Sequence, residues 1–66
     1  MKKLPYFVSA YGATVAEFNS LQDALEFAQA KSATYRAGWW RVQDARQRDE
    51  RGEPFTFGIF DGGEER

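Results

Sequence analysis

The sequence predicts an α+β domain of the form ββαββ, with one four-stranded sheet and a single helix packed across one face. Three observations predict it. Residues 20–31 repeat apolar side chains at helical spacing. The stretches 4–18 and 39–60 hold segments that alternate with period two instead. Gly12 stands in the middle of the first of these, where a hairpin turns.

The helix reads most clearly. Ser20 followed by Asp23 has the form of a capping box, the hydroxyl accepting from the Asp23 N–H and the carboxylate reaching back. At about one hundred degrees per residue, Leu21, Ala24, Leu25, Phe27 and Ala28 share one stripe. Gln22, Asp23, Glu26 and Gln29 lie opposite. Acids occupy the first turns, and Lys31 and Arg36 stand near the end, as the helix dipole favours. The helix is expected to fade between Ala33 and Arg36, with Tyr35 extending the stripe and Gly38 as a left-handed stop.

Before the helix, residues 4–11 read as a strand with Tyr6, Val8 and Ala10 on one side and Phe7, Ser9 and Tyr11 on the other. Gly12-Ala13 suits a type II′ turn, and residues 14–18 return. That register pairs Phe7 with Phe18 and makes their face the inner one. A longer loop flips one strand. After the helix, Trp40 and Val42 share a face, and Trp39, Arg41 and Gln43 share the other. Residues 45–54 are polar and charged and read as an exposed connection. In the last strand, Phe55, Phe57 and Ile59 are expected inside, and Thr56, Gly58 and Phe60 outside. Residues 1–61 form the single domain, and 62–66 a flexible tail. A right-handed crossover places the two terminal strands side by side and parallel, as in β-grasp domains. An all-antiparallel order is the alternative.

Composition bounds function. The chain has 66 residues, no histidine and no cysteine, which removes most nucleophile–base pairs and the usual zinc sites. A catalytic role is not expected, nor is a metal or other cofactor. Asp44, Asp49, Glu50 and Glu53 are interleaved with Arg46, Arg48 and Arg51, so they read as a solvated loop with loose ion pairs rather than a carboxylate pair. Gly62-Gly63 opens no helix and is no phosphate loop, and Asp61 and Glu64 are too few to hold calcium. The net charge of −1, with mixed signs, argues against non-specific binding to nucleic acid or to acidic membranes. No stretch is long and apolar enough to span a bilayer. Residues 1–5 begin basic, but no apolar run follows them, so no signal peptide is expected and the cytoplasm is the default compartment.

Aromatic bulk is the unusual feature. Two Trp, three Tyr and six Phe are more than one helix-on-sheet core needs, since each ring buries ~150–250 Å². Some rings must be exposed at the rim or buried against a partner. If the alternation holds, Trp39, Arg41 and Phe60 lie on the outer sheet face, the composition of a protein-binding hot spot. The same face suits base stacking on a single-stranded nucleic acid. Coverage of Trp39 by the tail, or by a second copy in a homodimer, is the plain alternative. The second candidate surface is the loop with Arg46, Arg48, Asp49, Glu50 and Arg51, whose mixed signs match a charged protein surface better than phosphate.

The series strand–Gly–strand, then Phe18-x-Ser20-Leu21-x-x-Ala24-Leu25-x-Phe27-Ala28, then Trp40-Arg41-Val42 resembles many small bacterial and prophage reading frames. In size and hairpin–helix–hairpin layout it is similar to some phage-encoded anti-CRISPR proteins. The resemblance implies a small inhibitor that occludes a host nuclease or defence complex, and it specifies no functional residue. Acidic nucleic-acid mimics of that class carry a large negative surplus, which this chain lacks. The expectation is a non-enzymatic protein-binding module, monomeric or weakly dimeric. A single-stranded nucleic-acid binder and a homodimeric structural domain are the alternatives.

Overall fold

The computed structural model describes residues 4–35 and 38–66. Its elements are β1 (Tyr6–Ala10), β2 (Ala13–Phe18), α1 (Leu21–Thr34), β3 (Trp40–Arg48), β4 (Pro54–Asp61) and β5 (Glu64–Glu65). They form an α+β domain with one helix and a five-stranded sheet in the order β2-β1-β3-β4-β5. Every neighbouring pair is antiparallel. The β-grasp order is therefore overturned, because β1 lies beside β3 and not beside β4. The central strands carry the residues that must be dry: Val8 and Ala10 on β1, Trp40 and Val42 on β3. β2 is mostly exposed and takes an edge.

Helix α1 starts where the sequence places it. Ser20 is the N-cap, and its hydroxyl accepts from the Asp23 N–H at 3.4 Å. Ala24 and Ala28 are fully buried, with Leu21, Leu25 and Phe27 packed around them. The helix ends at Thr34, and Tyr35 caps it in an extended conformation, its N–H donating to the Lys31 carbonyl at 2.7 Å. Gly38 is thus not the helix stop. Its φ of +88° and missing Cβ admit the Tyr11 ring, which would lie 2.9 Å from a Cβ there. Arg36, expected near the helix end, lies outside the described residues, as do Met1, Lys2 and Lys3.

The first hairpin turns one residue earlier than Gly12-Ala13. Ala10 pairs with Ala13, and Tyr11 and Gly12 both have positive φ (56° and 78°), the geometry of a type I′ turn. Val15 is then an extra residue in β2: Val8 pairs with Ala16, Ser9 with Thr14, and Phe18 with Tyr6. Phe18 remains against the core, but Phe7, expected beside it, faces the other way with Ser9.

A second extra residue reorders β4. Val42 pairs with Gly58 and Gln43 with Thr56, leaving Phe57 unpaired between them. From there on the alternation is reversed. Phe60, expected outside, is 4% exposed and lies opposite Trp40. Gly58 is buried on the helix side, 3.5 Å from Leu25 at its missing Cβ. Ile59, expected inside, pairs with the outward Arg41 and is half-buried. Phe57 packs on the core as expected, while Phe55 is exposed and sits edge-on to Phe57 at 5.1 Å.

Half of the expected connection at 45–54 is strand, since β3 runs to Arg48 and β4 starts at Pro54. The expected tail at 62–66 carries the fifth strand. Gly62 and Gly63, with φ of 64° and 88°, turn β4 into β5. The buried Ser32 hydroxyl accepts from the Gly63 N–H at 2.9 Å, and the Gln29 amide donates to the Gly63 carbonyl at 3.1 Å. This docks the hairpin on the helix.

Two stability predictions follow from the turns and the bulges. Gly63→Ala should lose more than Gly12→Ala in urea melts. Both suffer the ~1–2 kcal/mol of left-handed strain, but a Cβ at Gly63 also lies 3.0 Å from Ala33 Cβ, whereas Gly12 has open space. Phe60→Ala should cost ~3–5 kcal/mol, and Phe7→Ala, on the uncovered face, about 1 kcal/mol or less. Equal losses at Phe7 and Phe60 in the same melts would show the β4 register to be unshifted.

Candidate functional site

The helix covers one face of the sheet, and no described element covers the other. Adjacent strand residues face opposite sides, and the two tryptophans divide accordingly. Trp40 is buried, stacked against Tyr35 at 6.1 Å and edge-on to Tyr11 at 5.8 Å and Phe27 at 6.5 Å. Its indole N–H has no hydrogen-bond partner among the described residues. Trp39 is 45% exposed and shares an open hollow of about 590 Å³ with Arg41, Tyr11, Thr14 and Gln43.

Tyr11 is the residue that sequence reasoning missed. It is 65% exposed with φ of 56°, a conformation a bulky side chain rarely adopts. Packing on Trp40 and against Gly38 holds it there. The one available signal was Gly12: a type I′ turn needs positive φ at both central positions, which would have moved Tyr11 out of the strand.

Phe7 is the other. Half-buried on the outer face, it lines a second hollow of about 280 Å³ with Leu4, Thr14, Glu17, Arg48 and Pro54. Thr14 belongs to both hollows. Between them Gln43 knits the strands together. It accepts from the Ser9 hydroxyl at 2.8 Å and its amide donates to Thr56 Oγ1 at 3.2 Å and the Pro54 carbonyl at 3.3 Å. The floor is therefore held in a fixed arrangement before anything binds.

The expected site residues separate into groups. Trp39 and Arg41 come together as foreseen. Phe60 does not join them, because the bulge at Phe57 turns it into the core. Trp39 is partly covered from the β5 side. The Arg66 guanidinium lies 4.5 Å from its ring and pairs with Asp61 at 2.9 Å.

The charged loop is at the far end of β3 from Trp39 and Arg41. Asp49 holds that loop from within. Its Oδ1 accepts from the N–H groups of Arg51 at 2.9 Å and Glu53 at 3.0 Å. Arg48, Glu50 and Arg51 are exposed there and make no ion pair among the described residues.

Arg46 is engaged otherwise. It folds onto Asp44, which is fully buried, with Nε to Oδ1 at 3.2 Å, Nη2 to Oδ2 at 3.2 Å and its own N–H to Oδ1 at 2.8 Å. The same guanidinium lies over the Tyr6 ring and donates to its hydroxyl at 3.3 Å. The Arg46 side-chain hydrogen bonds, then its backbone N–H, hold the Asp44 carboxyl below its ordinary range, outweighing the upward push of burial. Arg46 is raised in turn, chiefly by its hydrogen bonds with Asp44. This pair is a structural clamp on the helix side of the sheet.

Among the described residues, no three or more Asp, Glu, His or Cys group where a metal ion could sit. No described helix is long and apolar enough to cross a membrane. In comparison with known proteins, no family model, no curated protein and no solved structure matches this chain.

The clamp predicts an acid limit to stability. Because the Asp44 pKa is lower in the folded chain, protonation favours the unfolded state. The contribution is fully present above the unfolded value near ~3.9 and is lost as pH falls through the folded value. The urea midpoint of the parent should therefore fall as pH drops below about 4, and Asp44→Asn should be less stable at neutral pH with a flatter acid limb. An Asp44→Asn variant with the parent's pH profile would remove Asp44 as the cause.

Proposed function

We propose that this chain is a non-enzymatic protein-binding module that uses the outer face of its sheet. One observation carries the reading: the exposed Trp39 beside Arg41, which forms no ion pair among the described residues, with Phe7 farther along the same sheet face that no described element covers. An exposed Trp and Arg in one concave patch are what protein hot spots are made of. The pre-ordered Gln43 network lowers the entropy lost on binding. The mode of action in this reading is occlusion, as expected of an inhibitor of a larger host complex of the anti-CRISPR kind.

The outer face is a poor match to nucleic acid. Its cations Arg41 and Arg48 are accompanied by the acid Glu17, and Arg66 is already paired with Asp61. A backbone of closely spaced phosphates asks for a continuous basic track.

The test is a melting curve and an affinity for each variant against the partner recovered from host lysate. Trp39→Ala gives up the Arg66 contact, worth ~0.5–1 kcal/mol, so the fold should survive nearly unchanged. Binding should weaken by ~2 kcal/mol or more. Arg41→Ala should weaken the same binding without moving the melting temperature. Full affinity in Trp39→Ala would exclude the outer face as the binding site. Affinity that collapses with salt for a nucleic acid, and no protein bound, would favour the single-stranded nucleic-acid reading instead.

A further inference from the structure

The two outer-face hollows share Thr14 and lie end to end along β1, from the Tyr11 turn to Leu4. At ~3.3 Å per residue this path is roughly 20 Å long, the span of six or seven residues in extended conformation. Its floor mixes apolar with hydroxyl and amide groups, Phe7 and Trp39 being set among Ser9, Thr14 and Gln43. An extended chain laid on this floor presents every second side chain to it.

Charge marks the two ends. Arg41 lies in the first hollow and Arg48 in the second, both on β3, and neither forms an ion pair among the described residues. Both point their charge at solvent although acids are plentiful in the chain. One acid, Glu17, stands on the β2 rim of the second hollow, also without an ion pair among the described residues.

We propose that this path receives an extended acidic segment of the partner protein, lying along β1 with a carboxylate on Arg41 and another on Arg48. The proposal rests on the protein-binding reading above and names the partner's chemistry. Arginine is suited to both ends because its planar fork grips a carboxylate with two N–H groups. Glu17 sets the lateral register, since it repels a carboxylate from the β2 side and leaves the β3 side, where Arg48 stands. A nucleic acid fits this pattern badly, because two isolated cations leave the phosphates between them unneutralised.

The probe is a capped peptide of about seven residues with glutamate at each end, valine at the third position and threonine at the others, so that the glutamates, the valine and one threonine share a face. It is titrated into the isotope-labelled chain and followed by amide and indole chemical shifts. Shifts should fall on Phe7, Ser9, Thr14, Arg41 and Arg48 and on the Trp39 indole, and should weaken with salt. The double variant Arg41→Glu/Arg48→Glu, whose changes are both exposed and should leave the melt intact, should bind the peptide at least about tenfold more weakly. Glu17→Gln should bind it more tightly, and Arg51→Glu, outside both hollows, as the parent does. A peptide that gives no shifts, a lysine-ended peptide that binds as well, or an unchanged affinity in the double variant overturns the proposal. Partner capture separates the two levels. If Trp39→Ala weakens capture and the double charge reversal does not, the acidic segment is wrong and the protein-binding reading stands. If neither weakens it, the acidic segment is wrong and the outer face is not the binding site.

Discussion

Everything in this domain depends on a close contact between helix and sheet made by small residues. Ala24 and Ala28 are fully buried opposite the central strands, whose inward residues there are Val8, Val42 and Gly58. With so little bulk at the centre, the large rings are displaced to the circumference. Phe18, Phe27, Trp40, Phe60, Phe57 and Tyr6 surround the alanines and valines. They meet one another edge-on or tilted, as Phe18 and Phe27 do at 5.1 Å and Tyr6 and Phe57 at 5.9 Å. That arrangement accounts for the excess of aromatic residues. A rim of rings seals a thin core that a short chain could not seal with aliphatic side chains.

The rim also explains why the two ends of the helix side differ. At the Tyr6 end the seal is polar: the Arg46 guanidinium lies over the Tyr6 ring while neutralising Asp44. At the Trp40 end the seal is aromatic, with Tyr11 and Tyr35 half in solvent and Lys31 Nζ 5.6 Å from the Phe27 and Tyr35 ring centres. The C-terminal hairpin closes the remaining gap. Ser32 is the fully buried hydroxyl of the helix, and its bond to Gly63 fixes β5 against the helix and brings Arg66 over Trp39. One buried serine thus links helix packing to the exposure of the outer-face tryptophan.

Two single-residue insertions, Val15 in β2 and Phe57 in β4, set which side chains are inside. Each is a bulge, and each reverses the parity of the residues beyond it. Without the bulge at Phe57, Phe60 would stand beside Arg41 on the outer face. With it, Phe60 completes the core beneath Trp40. Without the bulge at Val15, the type I′ turn would carry Phe18 outward together with Phe7. The outer face keeps an arginine–tryptophan pair and a polar Gln43 network instead of a broad aromatic sheet.

Much of this was legible in the residues alone. The helix, its Ser20 cap and its Leu21–Ala24–Leu25–Phe27–Ala28 stripe follow from local periodicity and local hydrogen bonding, which act within one turn and need no partner. The opposite facing of Trp39 and Trp40 follows from strand geometry for the same reason. What the tertiary structure decided were the quantities that depend on pairing between distant strands. The bulges at Val15 and Phe57 leave no local mark, because an extra residue is defined only against the strand it fails to match. The strand order depends on which strands the helix can cover at once, and β1 and β3 share the buried Val8–Val42 pair at its centre. For the same reason the sequence could place Trp39 and Arg41 on one surface but put Phe60 there as well and Phe7 within. Alternation fixes the side of a residue relative to its neighbours, and the partner strand fixes which side is the core.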